Sequence, residues 1–279
     1  MPSLLRHLHD FAREVDLTVA EWMAGVEMIN EAGRMSTDKR NETQLLCDIL
    51  GLESLVDEIT SKLLLRAGDT TTNNTNTTST TTPSAILGPF YRADAPILPN
   101  NSSIVTAPPT SPWYAAALPL LAHVSGRVLD DRPPHTPIPN AVVDVWLAGP
   151  NGLYEQQDTS APDMNLRGRF RTSDPDGHYS LYCLRPTAYP IPDDGPAGRL
   201  LGLLDRRAWR PAHIHFFMKA EGYRSLVTQV FDVESVEDEG VGRDAVFAVK
   251  EELVVRFRAR EGDERARWEL VFDVFLSEL

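Results

Sequence analysis

Two histidines stand two residues apart in the run Arg210-Pro211-Ala212-His213-Ile214-His215-Phe216-Phe217. In a strand, side chains at i and i+2 leave the same face. Two imidazoles would then converge on one spot, as a pair of nitrogen ligands to a metal. A half-buried strand with two hydrogen-bonded histidines would show the same short pattern. The neighbours add weight to the metal reading. Arg210 precedes His213 by three residues, and Tyr189 and Tyr154 lie upstream. Each of these tyrosines follows an apolar run and sits among Gly and Pro, where a side chain is aimed rather than packed. Imidazole suits zinc, copper and iron alike. Phenolate oxygen is a hard, anionic donor, and it pairs with a hard trivalent cation such as Fe(III). Such a cation would keep a phenol ionised well below its usual pKa of about 10. Tyr179 and Tyr182 read as ordinary amphipathic residues half buried at a strand end.

The elements that must hold these residues follow from periodicity. The first 66 or so residues read as helices. Thr18 and Glu21 have capping-box spacing, and Val19, Trp22, Met23, Val26 and Ile29 follow with helical period up to a C-cap at Gly33. A second helix carries Leu45, Leu46, Ile49 and Leu50 and stops at Gly51. A third carries Leu52, Leu55, Val56, Ile59 and Leu63. Helices this apolar need a partner surface, either the rest of the chain or a second subunit. Residues 69–82, all Thr, Asn and Ser after Asp69, predict a flexible linker. From residue 121 the pattern becomes short strands: HVSGRVLD, NAVVDVWLAG, GRFRTSD, HYSLYCL, HIHFFM, VTQVFDV, ELVVRF and WELVFDVFL. Eight such runs between turn signals predict a β-sandwich. The expected fold class is mainly β: a helical segment 1–68, a linker 69–84 and a β-sandwich catalytic domain 85–279.

A chain of 279 residues with 42% hydrophobic and 24% charged content is ordinary for a globular protein. A net charge of −13 argues against general nucleic-acid binding. Cys47 and Cys183 lie in apolar runs and read as buried free thiols. No segment has the length of a membrane span, and the charged, amphipathic N-terminus does not read as a signal peptide. A cytoplasmic protein is expected.

Several motifs together resemble one family. Gly88-Pro89-Phe90-Tyr91, Pro139-Asn140-Ala141 through Asp144-Val145-Trp146, Asn165-Leu166-Arg167-Gly168, and Tyr189-Pro190-Ile191-Pro192-Asp193-Asp194-Gly195-Pro196 followed by RPAHIHFF closely resemble the intradiol ring-cleaving dioxygenases. The likeness is to the catechol 1,2-dioxygenase and hydroxyquinol 1,2-dioxygenase branch, and it runs almost end to end. It implies one ferric, non-haem iron per chain, with Tyr154, Tyr189, His213 and His215 as ligands. Tyr189 matches the tyrosine that leaves the metal when substrate binds, and its phenolate is a base for substrate protons. Arg210 matches the arginine beside the site, and Gln229 the glutamine behind it. Some hydroxyquinol enzymes carry His at the Gln229 position, so this residue leans toward catechol.

The resemblance also implies a reaction. Both atoms of O2 enter an ortho-dihydroxylated ring, which opens between its hydroxyl-bearing carbons to a muconate. The metal acts as Lewis acid and template, and Arg210 opposes negative charge that builds on the ring. The expected pocket is lined by Leu45 and Asp48, by Ile86, Leu87, Gly88, Pro89 and Phe90, and by Ile191 and Pro192. Phe90 and the Ile191-Pro192 pair resemble the hydroxyquinol and chlorocatechol enzymes, and Asp48 is placed to accept from a third ring hydroxyl. Hydroxyquinol, giving 3-hydroxy-cis,cis-muconate and hence maleylacetate, is the expected substrate; catechol and chlorocatechol are the alternatives. The resemblance further implies a homodimer through the helical segment, with a phospholipid at that interface. Two other classes compete. A zinc hydrolase would want a third imidazole or a carboxylate near the histidine pair. A non-enzymatic β-sandwich that binds a ligand would leave the tyrosines unexplained.

Overall fold

Thr18 opens its helix as the capping box predicts. In the computed structural model, which describes residues 2–69 and 80–279, Thr18 Oγ1 accepts from Glu21 N at 3.3 Å and Glu21 Oε2 accepts from Thr18 N at 2.9 Å. Four helices build the N-terminal part: α1 (Pro2–Glu14), α2 (Val19–Met35), α3 (Glu42–Ile49) and α4 (Leu52–Asp69). Three short ones follow: α5 (Pro112–Ala117), α6 (Pro196–Leu203) and α7 (Val233–Val236). Gly33 does not end α2. The helix runs on to Met35, and Ser36 closes it by donating from N and Oγ to Ala32 O. Gly51 does follow the end of α3, with φ of +71°. That left-handed conformation is the one for which Gly carries no penalty.

The strands are β1 (Ser102–Ser103), β2 (Leu121–Asp130), β3 (Val142–Trp146), β4 (Arg167–Arg171), β5 (His178–Leu184), β6 (Tyr189–Pro190), β7 (Trp209–Arg210), β8 (His213–Lys219), β9 (Leu226–Asp232), β10 (Val254–Val255), β11 (Arg258–Ala259), β12 (Trp268–Val271) and β13 (Val274–Leu276). One sheet runs β1-β5-β2-β12-β11, with β13 also on β2. A second runs β10-β9-β8-β3-β4, and β6 pairs with β7 alone. Two expected strands differ. ELVVRF keeps only Val254–Val255 as strand, because Glu251–Leu253 turn into a 3₁₀ helix. WELVFDVFL splits in two. Asp273 Oδ1 accepts from Arg127 N at 2.9 Å, which takes a ladder donor away from the backbone and separates β12 from β13.

The two larger sheets share one apolar core. Val124, Val128, Tyr179, Leu181 and Leu270 from one sheet meet Val143, Val145, Phe170, Ile214, Phe216, Met218 and Val230 from the other. Tyr179 and Tyr182 stay outside the site, as expected, but both are buried rather than half-buried: Tyr179 donates to Phe272 O and Tyr182 to Asp263, both at 2.7 Å. Helix is at least as abundant as strand in the described residues, so "mainly β" describes the C-terminal part and not the whole chain. Cys47 and Cys183 are both free thiols; Cys183 is buried, but Cys47 is only half-buried.

Of the Thr/Asn-rich run, residues 70–79 lie outside the described residues. Its end is tied down rather than loose. Thr80 Oγ1 donates to Asp131 O, and Thr82 exchanges two bonds with the backbone of Phe275. The apolar faces of the long helices stay uncovered within the chain. Leu4, Leu5, Leu8 and Phe11 on α1, Trp22, Met23 and Ile29 on α2, and Leu55, Ile59 and Leu63 on α4 are all exposed. No helix among the described residues is long and apolar enough to cross a membrane.

Candidate active site

Strand alternation puts the two histidines on one face of β8. Ile214, Phe216 and Met218 point into the shared core, and His213 and His215 point the other way. The neighbouring strands supply the same outer face. Trp146 of β3 lies opposite His215, as does Gln229 of β9. The β6–β7 pair sets Tyr189 opposite Arg210. Tyr154 comes from the loop after β3. Helix α3, helix α6 and the 85–90 strap close over this face. Their residues Leu45, Ile49, Ile86, Phe90, Ala197 and Leu201 form a second apolar cluster with Trp146, Tyr154 and Tyr189.

Four donor atoms meet there. Tyr154 Oη lies 3.1 Å from Tyr189 Oη and 3.2 Å from His215 Nε2. Tyr189 Oη lies 3.5 Å from His213 Nε2. All four side chains are 4% exposed or less. His213 Nδ1 is 2.7 Å from Pro211 O. A carbonyl only accepts, so Nδ1 carries the proton and Nε2 keeps its lone pair. Trp146 stacks flat on His215, with centroids 4.7 Å apart. Phe90 stacks on Tyr154 at 4.8 Å.

Arg210 is held on three sides. Its Nε donates to Asp244 at 3.2 Å, Nη1 to His213 Nε2 at 3.0 Å and Nη2 to Gln229 Oε1 at 3.0 Å. Gln229 Nε2 donates in turn to Ile86 O at 2.7 Å. The electrostatics follow from burial. Burial, then the neighbouring phenol, pushes Tyr154 well above its ordinary pKa. Burial also raises Tyr189, against the pull of Arg210. His213 and His215 are driven well below the usual imidazole value, first by burial, then by Arg210 for the former and by His213 for the latter. Without a counter-cation this is a nest of neutral phenols and imidazoles. A multivalent cation would reverse the phenols.

The structure brings together the residues expected from the sequence. Leu45, Ile86, Phe90 and Ile191 join the cluster around the two tyrosines, with Leu87 packed at its edge. Gly88 has φ of +76°, the left-handed conformation that favours glycine, and lies in contact distance of the His215 ring. Pro89 and Pro192 are half-buried on the same loops. Asp48 is buried on α3, and neither of its oxygens meets an N–H or hydroxyl donor among the described residues.

Sequence reasoning assigned no role to Trp146, Asp244 or the Glu155–Arg167 pair. Asp244 carries no local signal, because its partner is 34 residues away. Glu155 follows Tyr154 and is buried against Arg167 at 2.5 Å. A carboxylate directly after Tyr154, and an arginine within the Asn165-Leu166-Arg167-Gly168 motif, were the available hints. Among the described residues no third His, Cys, Asp or Glu joins the histidine pair to make a metal cluster.

Comparison with known proteins gives a consistent result. The family model described as Dioxygenase matches residues 115–278, and that described as Catechol dioxygenase N terminus matches residues 1–68. The chain is 42% identical to an intradiol ring-cleavage dioxygenase of Aspergillus niger, over 99% of this chain and 80% of the relative. It is 42% identical to a catechol 1,2-dioxygenase of Candida albicans, over 99% and 84%. It is 37% identical to a hydroxyquinol 1,2-dioxygenase of a Rhizobium species, over 96% and 81%. Among solved structures, hydroxyquinol 1,2-dioxygenase from Pseudomonas putida superposes with a TM-score of 0.78 at 34% identity, covering 100% of this chain and 91% of that one. The geometry and these likenesses agree, and the chain belongs to the intradiol ring-cleaving dioxygenase family.

Proposed function

We propose that this enzyme binds one ferric, non-haem iron per chain through Tyr154, Tyr189, His213 and His215 and opens the ring of hydroxyquinol. The observation that carries the reading is the convergence of two phenol oxygens and two imidazole nitrogens within 3.1 to 3.5 Å of a neighbour. Donors spaced in this way would hold a first-row ion. The hard, anionic oxygen pair favours a trivalent ion, and the fixed proton on His213 Nδ1 leaves a lone pair on Nε2, which would turn to the ion in place of Arg210 Nη1.

Iron, when bound, supplies Lewis acidity and a template for the ring oxygens and O2. The chain supplies the rest. Tyr189 Oη takes a proton from a substrate hydroxyl. Arg210, clamped by Asp244 and Gln229, presents fixed positive charge to negative charge that develops on the ring. Phe90 and Ile191 wall the ring and keep water out. The product is 3-hydroxy-cis,cis-muconate, hence maleylacetate.

The substrate assignment rests on Phe90, the Ile191-Pro192 pair and Asp48. Gln229 and the likeness to the Candida albicans catechol enzyme favour catechol as the second reading. A substrate panel followed by O2 uptake with product identification tests both. Faster turnover of catechol than of hydroxyquinol would overturn the first and leave the family assignment intact.

The shared core of the two large sheets supports a β-sandwich catalytic domain over 85–279, with a helical domain over 1–68 and a linker over 69–84. The uncovered apolar faces of α1, α2 and α4 support a homodimer through the helices, with a phospholipid in the interface, in a protein that we place in the cytoplasm.

A further inference from the structure

Asp48 is a buried carboxyl that the four donors do not use. It is 1% exposed, and among the described residues no N–H or hydroxyl reaches it. Facing it across the turn from α3 to α4 is a second carboxyl, Glu53 in the first turn of α4. Glu53 is well supplied. Gln44 Nε2 donates to it at 3.1 Å and the Leu87 amide at 3.0 Å. Two carboxyls in contact at low dielectric do not both ionise, and the proton stays on the one with fewer donors.

The other groups facing Asp48 do not change that order. The Cys47 thiol is beside it on α3, Asp244 adds a like charge from its loop, and Arg210 pulls the opposite way from β7. Arg210, however, is already bonded to Asp244, His213 and Gln229. Burial, then the contact with Glu53, pushes Asp48 up to about 9. Burial would raise Glu53 as well, but its bonds to Asp48, Gln44 and Leu87 outweigh this and hold it below the ordinary carboxylate value.

We propose that Glu53 is a specificity-determining positioning residue: it holds the Asp48 proton in a carboxyl–carboxylate bond, so that Asp48 meets the ring as a neutral acid with one carbonyl oxygen free. A carboxylate at that place would repel a substrate that binds with its hydroxyls deprotonated. A neutral carbonyl oxygen accepts from a third hydroxyl without that repulsion. The use of the oxygen rests on the hydroxyquinol reading above; the placement of the proton does not. Glu53 also ties α4 to the strap that carries Gly88 and Phe90, through the Leu87 amide.

Infrared spectroscopy of the iron-loaded enzyme tests the proton directly. At neutral pH the wild type minus Asp48→Asn difference should contain the carbonyl band of a protonated carboxylic acid. In Glu53→Gln that band should titrate away about one pH unit or more below the wild type, since a like charge is gone. No such band in the wild type overturns the proposal. Kinetics test the consequence. An Asn amide can donate to Glu53 and keep its carbonyl toward the ring. The kcat/KM ratio of hydroxyquinol over catechol should therefore stay within about threefold of wild type in Asp48→Asn and fall about tenfold or more in Asp48→Ala. An equal fall in both, with the visible band of the iron site retained, contradicts a neutral acid. If the infrared band is present while the wild type prefers catechol, the substrate reading falls and the proton placement stands.

Discussion

The two faces of β8 are equally buried and hold opposite kinds of residue. Ile214, Phe216 and Met218 are 0% exposed in the core between the sheets; His213 and His215 are 2% exposed under the helices. The inner face is satisfied by dispersion and exclusion of water alone. The outer face buries imidazole, phenol, guanidinium and amide groups, which need partners. Most have one another, but His215 Nδ1 and Trp146 Nε1 have none among the described residues. One strand thus serves fold and chemistry by alternation. Helix α3, with α6 and the 85–90 strap, keeps water from the second face, so part of the helical segment belongs to the site.

Substitutions on the two faces should separate these roles. The largest effect is expected outside the core. Tyr154→Phe should lower turnover about a thousandfold or more and bleach the visible colour. The apo fold should stay within about 1.5 kcal/mol of apo wild type, since it loses only hydrogen bonds of the phenol. Denaturant melts and iron content check both. Arg210→Ala should keep iron and substrate binding and lower kcat about a hundredfold, because the charge it opposes develops after binding. A change within about threefold, well under 1 kcal/mol on the barrier, would make the arginine purely structural.

The inner face should answer in the opposite way. Phe216→Ala should cost about 3–5 kcal/mol of stability, while folded protein keeps its colour. Loss of the colour before loss of the fold would break the contrast. Asp48 gives a pH test. Its folded pKa is raised to about 9 from 3.8, so the folded chain keeps a proton that the unfolded chain releases. Its contribution is full below about 4 and is lost as pH rises toward about 9. The stability difference between apo wild type and apo Asp48→Asn should therefore shift against wild type across that window. The smallest change in turnover is expected at the helices: Trp22→Glu should yield a monomer by light scattering at micromolar concentration, since Trp22 is 58% exposed within the chain. A monomeric wild type that is fully active would remove the dimer from the account.

Much of the site was legible because its residues are close in sequence or carried by distinctive motifs. The i, i+2 spacing of His213 and His215 fixes a common face whatever surrounds the strand. Tyr189 is close enough to Arg210 for a single connection to return one beside the other. Asp244 and Trp146 act through partners far along the chain, and nothing local marks them; Glu53 is near Asp48 in sequence, but only the turn from α3 to α4 brings the two carboxyls face to face. The misread elements have local causes too. Gly33 stands where a cap would, yet Ser36 supplies the closing bonds three residues later. The last strand alternates without interruption, but the side chain of Asp273 competes for a ladder donor. Competition between side chain and backbone is invisible to hydrophobic period.

The central claim is that the outer face of β8, completed by two tyrosines, is a ferric site. Metal analysis of the purified protein with its visible spectrum tests this most directly. The account predicts one iron per chain, a tyrosinate-to-Fe(III) charge-transfer band that makes the protein wine-red, and loss of both in His215→Ala. Stoichiometric zinc with no visible band, and no ring cleavage after iron loading, would contradict it.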